Sequence, residues 1–86
     1  MIDPRLAHRF CTNNKPQLKT PQKCGCFYCR SIFSSAEIEE WVPDTLGTAI
    51  CPKCGIDSVI GESSGITIDQ EFLTEMHNFW FRSKAR

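Results

Sequence analysis

Six cysteines are the residues of this chain whose type and spacing could do chemistry. Four of them form two short pairs, Cys26-Phe27-Tyr28-Cys29 and Cys51-Pro52-Lys53-Cys54, with 21 residues between the pairs. Two C-x-x-C pairs at such a separation offer four soft thiolates, the donor set that tetrahedral zinc takes in a closed structural site. The two-residue spacer lets both sulfurs of a pair face one ion from a tight turn. Gly55 follows Cys54 and suits a turn that needs positive φ, whereas Arg30 holds the equivalent place after Cys29. The expected cofactor is one structural Zn²⁺ on Cys26, Cys29, Cys51 and Cys54. Four thiolates fill every position on such an ion, so no catalytic role is expected of it.

The other chemistry-bearing residues are less well placed. Cys24 sits two before Cys26, on the same face if the approach is an extended strand. The knuckle spacing favours Cys26, and Cys24 reads as a small buried residue or a nearby spare thiol; whether it replaces Cys26 stays open. His8-x-x-Cys11 offers ligand types for half a site, which Cys24 or a partner chain would have to complete. His8, Asp57 and His77 could act as acid or base, but none has a partner at catalytic spacing. There is no Ser-His-Asp order, phosphate loop or paired-carboxylate motif. An enzyme with an unrecognised site is therefore the third reading, and no catalytic residue is assigned.

At 86 residues the chain is one domain at most, with a core that supplies only about 3–5 kcal/mol. Structural zinc is worth on the order of 10–16 kcal/mol in small fingers, enough to decide whether such a chain folds. The first ten residues carry charge throughout and lack an apolar leader core, and no apolar run is long enough to cross a bilayer. A reducing, cytoplasmic setting follows as the expectation, and there thiols favour metal over disulfide.

The formal charge is zero, but the charges are segregated. Met1 to Arg30 holds six basic residues against Asp3 alone; Ser31 to Phe81 holds Lys53 against nine acids; Arg82, Lys84 and Arg86 follow. An acidic body with basic ends is a poor general surface for nucleic acid.

The elements that must position the cysteines can be read in order. Residues 1–23 show no sustained period and read as a basic extended arm, pinned by Leu6, Phe10 and Leu18. Residues 24–81 form the metal domain, and 82–86 a basic tail. Arg30 to Phe33 should run back antiparallel and close the first hairpin. Ser34-Ser35-Ala36-Glu37 is a capping box with Phe33 and Ile38 as its staple, predicting a helix of about two turns that Pro43 stops near Trp41 or Val42. Thr48-Ala49-Ile50 leads into the second knuckle and Ile56 to Ile60 leads out as strand. Thr67 and Gln70 offer a second capping box. Beyond it Phe72, Leu73, Met76, Phe79 and Trp80 recur at helical spacing, predicting an amphipathic helix to about Phe81. The fold class is a small metal-stabilised α+β domain: a zinc ribbon of two β-knuckles, a short inserted helix and a C-terminal amphipathic helix.

The segments Cys24-Gly25-Cys26-Phe27-Tyr28-Cys29, Glu37-Ile38-x-x-Trp41, Cys51-Pro52-x-Cys54-Gly55-Ile56-Asp57-Ser58-Val59-Ile60-Gly61 and Phe72-Leu73-x-x-Met76-His77-x-Phe79-Trp80-Phe81 resemble a group of small uncharacterised bacterial cytoplasmic proteins, also encoded by phages and mobile elements. The likeness covers roughly residues 8 to 81. It implies a compact zinc-ribbon-like domain and carries no activity with it.

The functional expectation is a zinc-binding, non-catalytic protein-interaction or adaptor module whose partner is another protein, with no membrane contact. The alternative is a nucleic-acid-binding ribbon using Arg5, Arg9, Lys15, Lys19, Lys23 and Tyr28, expected to bind only weakly. Most aromatics should build the core, with Phe27 and Tyr28 as the ones able to project from the knuckle tip. His77 is expected as a partly exposed helix histidine.

Overall fold

The computed structural model describes residues 3 to 82. At its centre lies β1 (Lys23–Cys26), flanked by β2 (Ile32–Ser34) and β5 (Val59–Gly61) in an antiparallel sheet of order β2-β1-β5. Cys24 stands opposite Phe33 and Gly61, and Cys26 opposite Val59. Strand side chains alternate between faces, and here the alternation separates two apolar clusters. Cys24, Cys26, Phe33 and Val59 join Leu18, Ile38, Ala49 and Cys51 in one of them. Ile60 joins Ile68, Phe72, Leu73 and Met76 in the other. The small α+β architecture and the first hairpin follow the sequence reading.

Helix α2 (Gln70–His77) covers the second face and buries Phe72, Leu73 and Met76. It approaches the sheet over Gly25, where a Cβ would stand 2.8 Å from Leu73 Cδ1 and 2.9 Å from Ile68 Cγ2. Only glycine leaves room for that contact. The helix cap differs from the expected box: Asp69, not Thr67, accepts from the Phe72 amide at 2.8 Å. A carboxylate is a stronger acceptor than a hydroxyl and also suits the positive helix end. Beyond His77 the backbone widens into a π-helical turn over Asn78–Arg82, so the helical stretch reaches the expected region with its last turn loosened. Apart from Arg82, the basic tail read at 82–86 lies outside the described residues.

Between the cysteine pairs the structure corrects the sequence reading. The capping box forms, with Ser34 Oγ accepting from Ala36 N at 3.1 Å and Glu37 Oε2 from Ser34 N at 3.3 Å. It caps only a single 3-10 turn, Ser35–Glu37, and Ile38 is already extended. Trp41–Val42 is a strand, β3, paired antiparallel with β4 (Thr48–Ala49). A helix stopped by Pro43 would be too short to repay its nucleation. Proline also pushes Val42 towards extended backbone. The aromatic and β-branched residues gain more from cross-strand pairing with Thr48 and Ala49.

The stretch read as an extended arm is folded. Asp3 caps a one-turn helix, α1 (Pro4–Ala7), which runs on as a 3-10 turn through His8–Cys11. Ala7, Cys11, Asn14 and Leu18 are buried. Of the expected anchors Leu18 holds and Phe10 packs partly against the core, but Leu6 points into solvent at 57 % exposure. The strongest tie is polar: Asn14 Nδ2 donates to Val59 O at 2.9 Å and Phe10 O at 3.0 Å, while its Oδ1 accepts from Ala49 N at 3.0 Å. One buried amide thus joins the N-terminal segment to both sheets. Among the described residues no helix is long and apolar enough to cross a membrane.

Candidate metal centre

Both cysteine pairs sit in turns with one backbone pattern. Cys26 N donates to Ser31 O at 3.0 Å, and Cys51 N donates to Ile56 O at 2.9 Å. Inside each turn the fourth residue on donates back, Arg30 N to Cys26 O at 2.6 Å and Gly55 N to Cys51 O at 2.9 Å. Arg30 and Gly55 both take positive φ, 66° and 82°. The residue that broke the sequence pattern therefore adopts the same left-handed backbone as its glycine counterpart.

These turns bring four sulfurs together. The Sγ atoms of Cys26, Cys29, Cys51 and Cys54 all lie within 4.8 Å of one another. Cys26 and Cys54 are 3.7 Å apart, as are Cys29 and Cys51. A tetrahedron built on Zn–S bonds of about 2.3 Å has sulfur–sulfur edges of roughly 3.8 Å. The donor set and its spacing therefore fit one tetrahedral metal ion, and the six cysteines are all free thiols. Among the described residues no other group of three or more His, Cys, Asp or Glu side chains is close enough to hold an ion. Cys26 and Cys51 are buried, whereas Cys29 and Cys54 are half-exposed, so the cluster meets solvent along one edge.

Hydrogen bonds around the sulfurs stabilise negative charge. Lys53 N donates to Cys51 Sγ at 3.3 Å. Burial pushes the Cys26 thiol upward, against the opposing bonds from the Cys29 and Tyr28 amides. Burial likewise pushes Cys54 up to about 11, partly offset by the Ile56 amide. Cys29 goes the other way: desolvation raises it, but Ser31 and the neighbouring thiols outweigh that and bring it to about 7. Of Cys26, Cys29 and Cys54, only Cys29 is thus moved towards the thiolate. A divalent cation must displace the remaining protons, which makes its binding pH-dependent.

Helix α2 braces the first turn. Gln70 Nε2 donates to Arg30 O at 3.0 Å, and His77 Nδ1 donates to Phe27 O at 3.1 Å. The carbonyl accepts, so the proton sits on Nδ1. His77 also packs against Tyr28 and Phe81 rings. Sequence reasoning placed His77 as a partly exposed helix residue and missed this role. The available signal was the seven-residue spacing of Gln70 and His77, two helical turns apart on one face.

The remaining candidate residues scatter. Cys24 is buried in the apolar cluster and lies outside the four-sulfur group. His8 packs against Trp80 at a 44° tilt with ring centroids 4.3 Å apart, and Cys11 is buried, so the half-site is not completed by Cys24. Tyr28 is 44 % exposed, as its place at the turn tip suggested, but Phe27 is fully buried in the core under His8 and Phe81. Arg5 pairs with Asp3 at 3.0 Å, Arg9 lies over the Phe10 ring, and Lys15 Nζ lies 5.4 Å above Trp41. Lys19 and Lys23 are exposed. Asp57 is exposed and shares a cleft with His8 and Cys11, while His77 does not line it.

In comparisons with family models, curated proteins and solved structures, nothing matches this chain.

Proposed function

We propose that the chain is a zinc-ribbon module that holds one structural Zn²⁺ on Cys26, Cys29, Cys51 and Cys54 and acts, without catalysis, by binding another protein. The observation that carries the metal half is the pair of 3.7 Å sulfur edges, one joining each cysteine of the first turn to a cysteine of the second. Four thiolates complete zinc's coordination and leave no position for a substrate.

The binding half rests on the surface beside the metal turn. Tyr28, 44 % exposed, meets the half-buried ring of Phe81 edge-on at 5.0 Å, and His77 packs against both rings. Exposed aromatic clusters braced by a rigid turn are the chemistry of protein-contact hot spots. The basic residues are less suited to tracking a phosphate backbone, because Arg5 is neutralised by Asp3 and Lys15 is engaged with Trp41.

A photo-crosslinking amino acid at position 28, in the zinc-loaded protein inside its own host, tests the reading. The expected product is a covalent adduct with one protein species that is lost when the crosslinker is moved to exposed Lys19. Fluorescence anisotropy over a salt series should find nucleic-acid affinity in the non-specific range, about 10⁻⁴ to 10⁻⁶ M or weaker. Nanomolar, sequence-selective binding would replace the adaptor reading with the nucleic-acid one.

A further inference from the structure

A cleft of about 420 Å³ opens between the N-terminal helical segment, the π-helical turn and the residues that follow the second cysteine pair. The rings of His8, Trp80 and Phe81 line it over the buried ring of Phe27, together with exposed Asp57 and buried Cys11. The rings are fixed against each other: His8 lies 4.3 Å from Trp80 and 5.9 Å from Phe27, and Phe27 lies 5.8 Å from Phe81. Trp80 is further held by its Nε1 donating to Pro4 O at 3.2 Å.

Asp57 is the one carboxylate that lines this cleft; among the described residues no Lys or Arg lines it, and the Arg9 guanidinium lies over the Phe10 ring. The two ion pairs among the described residues are Arg5–Asp3 and Lys53–Glu37, so the exposed Asp57 carboxylate takes part in neither. Its field reaches Cys11, where, after burial, it is the next cause that raises the thiol. A zinc ion on four thiolates would add a net charge of minus two in the turn just before Asp57.

We infer that this cleft receives a cationic side chain, the ammonium of lysine or the guanidinium of arginine, from an extended basic segment of the protein partner. Aromatic faces attract such cations through their quadrupoles, more strongly where the cation is partly desolvated. The exposed Asp57 carboxylate supplies the counter-charge that rings alone lack. A neutral apolar side chain would gain only contact area and would leave Asp57 without a partner. This inference deepens the protein-binding reading and rests on it: it assigns the partner a basic residue and gives it a seat that shares Phe81 with the Tyr28 surface.

The test uses the zinc-loaded full chain, ¹⁵N-labelled, titrated with the blocked tripeptides acetyl-Gly-Lys-Gly-amide, acetyl-Gly-Arg-Gly-amide and acetyl-Gly-norleucine-Gly-amide. The expected result is saturable shifts of the Trp80 indole N–H and the Asp57 and Ser58 amides with the cationic peptides. The norleucine peptide should bind at least about tenfold more weakly, the scale of a cation–π contact of roughly 1–2 kcal/mol. Asp57→Asn, an exposed position where the fold should hold, is expected to weaken the cationic peptides about fivefold or more and leave norleucine unchanged. Equal binding of norleucine and lysine peptides, an unaltered Asp57→Asn titration, or shifts confined to the Tyr28 surface would each overturn the proposal. If the position-28 crosslink captures a protein while the cationic peptides fail, the cleft assignment falls alone and the adaptor reading stands.

Discussion

Arg30 and Gly55 occupy the same place in two turns of like design, each four residues after the first cysteine of its pair and each with left-handed backbone, φ 66° and 82°. A side chain in that conformation costs about 1–2 kcal/mol, a cost glycine does not bear. At Gly55 a Cβ would meet nothing within 4 Å, so its substitution tests the backbone alone. Gly55→Ala should destabilise the zinc-loaded protein by about 1 kcal/mol, and Arg30→Gly should stabilise it by up to about 1 kcal/mol once the unfolded-state entropy of glycine is subtracted. Denaturant titration of both variants checks this; a stabilising Gly55→Ala would contradict the pairing.

The metal assignment predicts a division among the cysteines. Cys51→Ser should lose metal and cooperative folding together. Cys24→Ala should keep about one zinc per chain by elemental analysis and lose only about 1–2 kcal/mol. Cys11→Ser should also keep its zinc, but it places a hydroxyl at a site only 4 % exposed and should cost about 1–3 kcal/mol. Loss of metal in Cys24→Ala with retention in Cys26→Ala would reverse the ligand set.

Asn14 makes a sharper test of the folded N-terminal segment than any truncation. Asn14→Ala leaves Val59 O and Ala49 N without this partner, each worth about 1–3 kcal/mol when buried and unsatisfied. The expected loss is on the order of 3 kcal/mol with zinc content unchanged while the protein is folded. Removing residues 1 to 22, which an extended arm would tolerate, should abolish cooperative unfolding because Ala7, Cys11 and Leu18 leave with it. Full retention of stability in either variant would return the segment to the status of an arm.

The alkaline limb of stability should report Cys11. Burial, and after it the field of Asp57, pushes this thiol up to about 11 from its ordinary 9.0. The folded state then holds the proton more tightly than the unfolded state. Its contribution is complete below pH 9.0 and is lost as pH rises to about 11. Over that window the zinc-loaded protein should lose on the order of 2–3 kcal/mol more than Cys11→Ala does. Parallel pH profiles for the two proteins would remove Cys11 as the cause.

What the sequence made legible were the features whose signal is local. C-x-x-C spacing identifies the four sulfurs because two residues close a turn. The amphipathic repeat identifies α2 because Phe72, Leu73 and Met76 bury one face of it. The capping box at Ser34 was also legible, and it formed, yet it could not say how far a helix would run. That depended on Thr48 and Ala49, which capture Trp41 and Val42 as strand. The N-terminal segment was hidden for a related reason. Beside Leu18 its anchors are an alanine, a cysteine and an asparagine, and two of the three bonds of Asn14 go to carbonyl and amide groups 45 and 35 residues away. Positive φ at Arg30 has no residue-type signature at all; only its equivalence to Gly55 reveals it.

The bond from Trp80 to the Pro4 carbonyl spans 76 residues and has a consequence for order of assembly. Closing a loop of nearly the whole chain costs entropy that shorter-range contacts, such as the turns around the cysteine pairs, have to offset first. The indole of Trp80 is therefore a reporter of the last step of folding rather than the first.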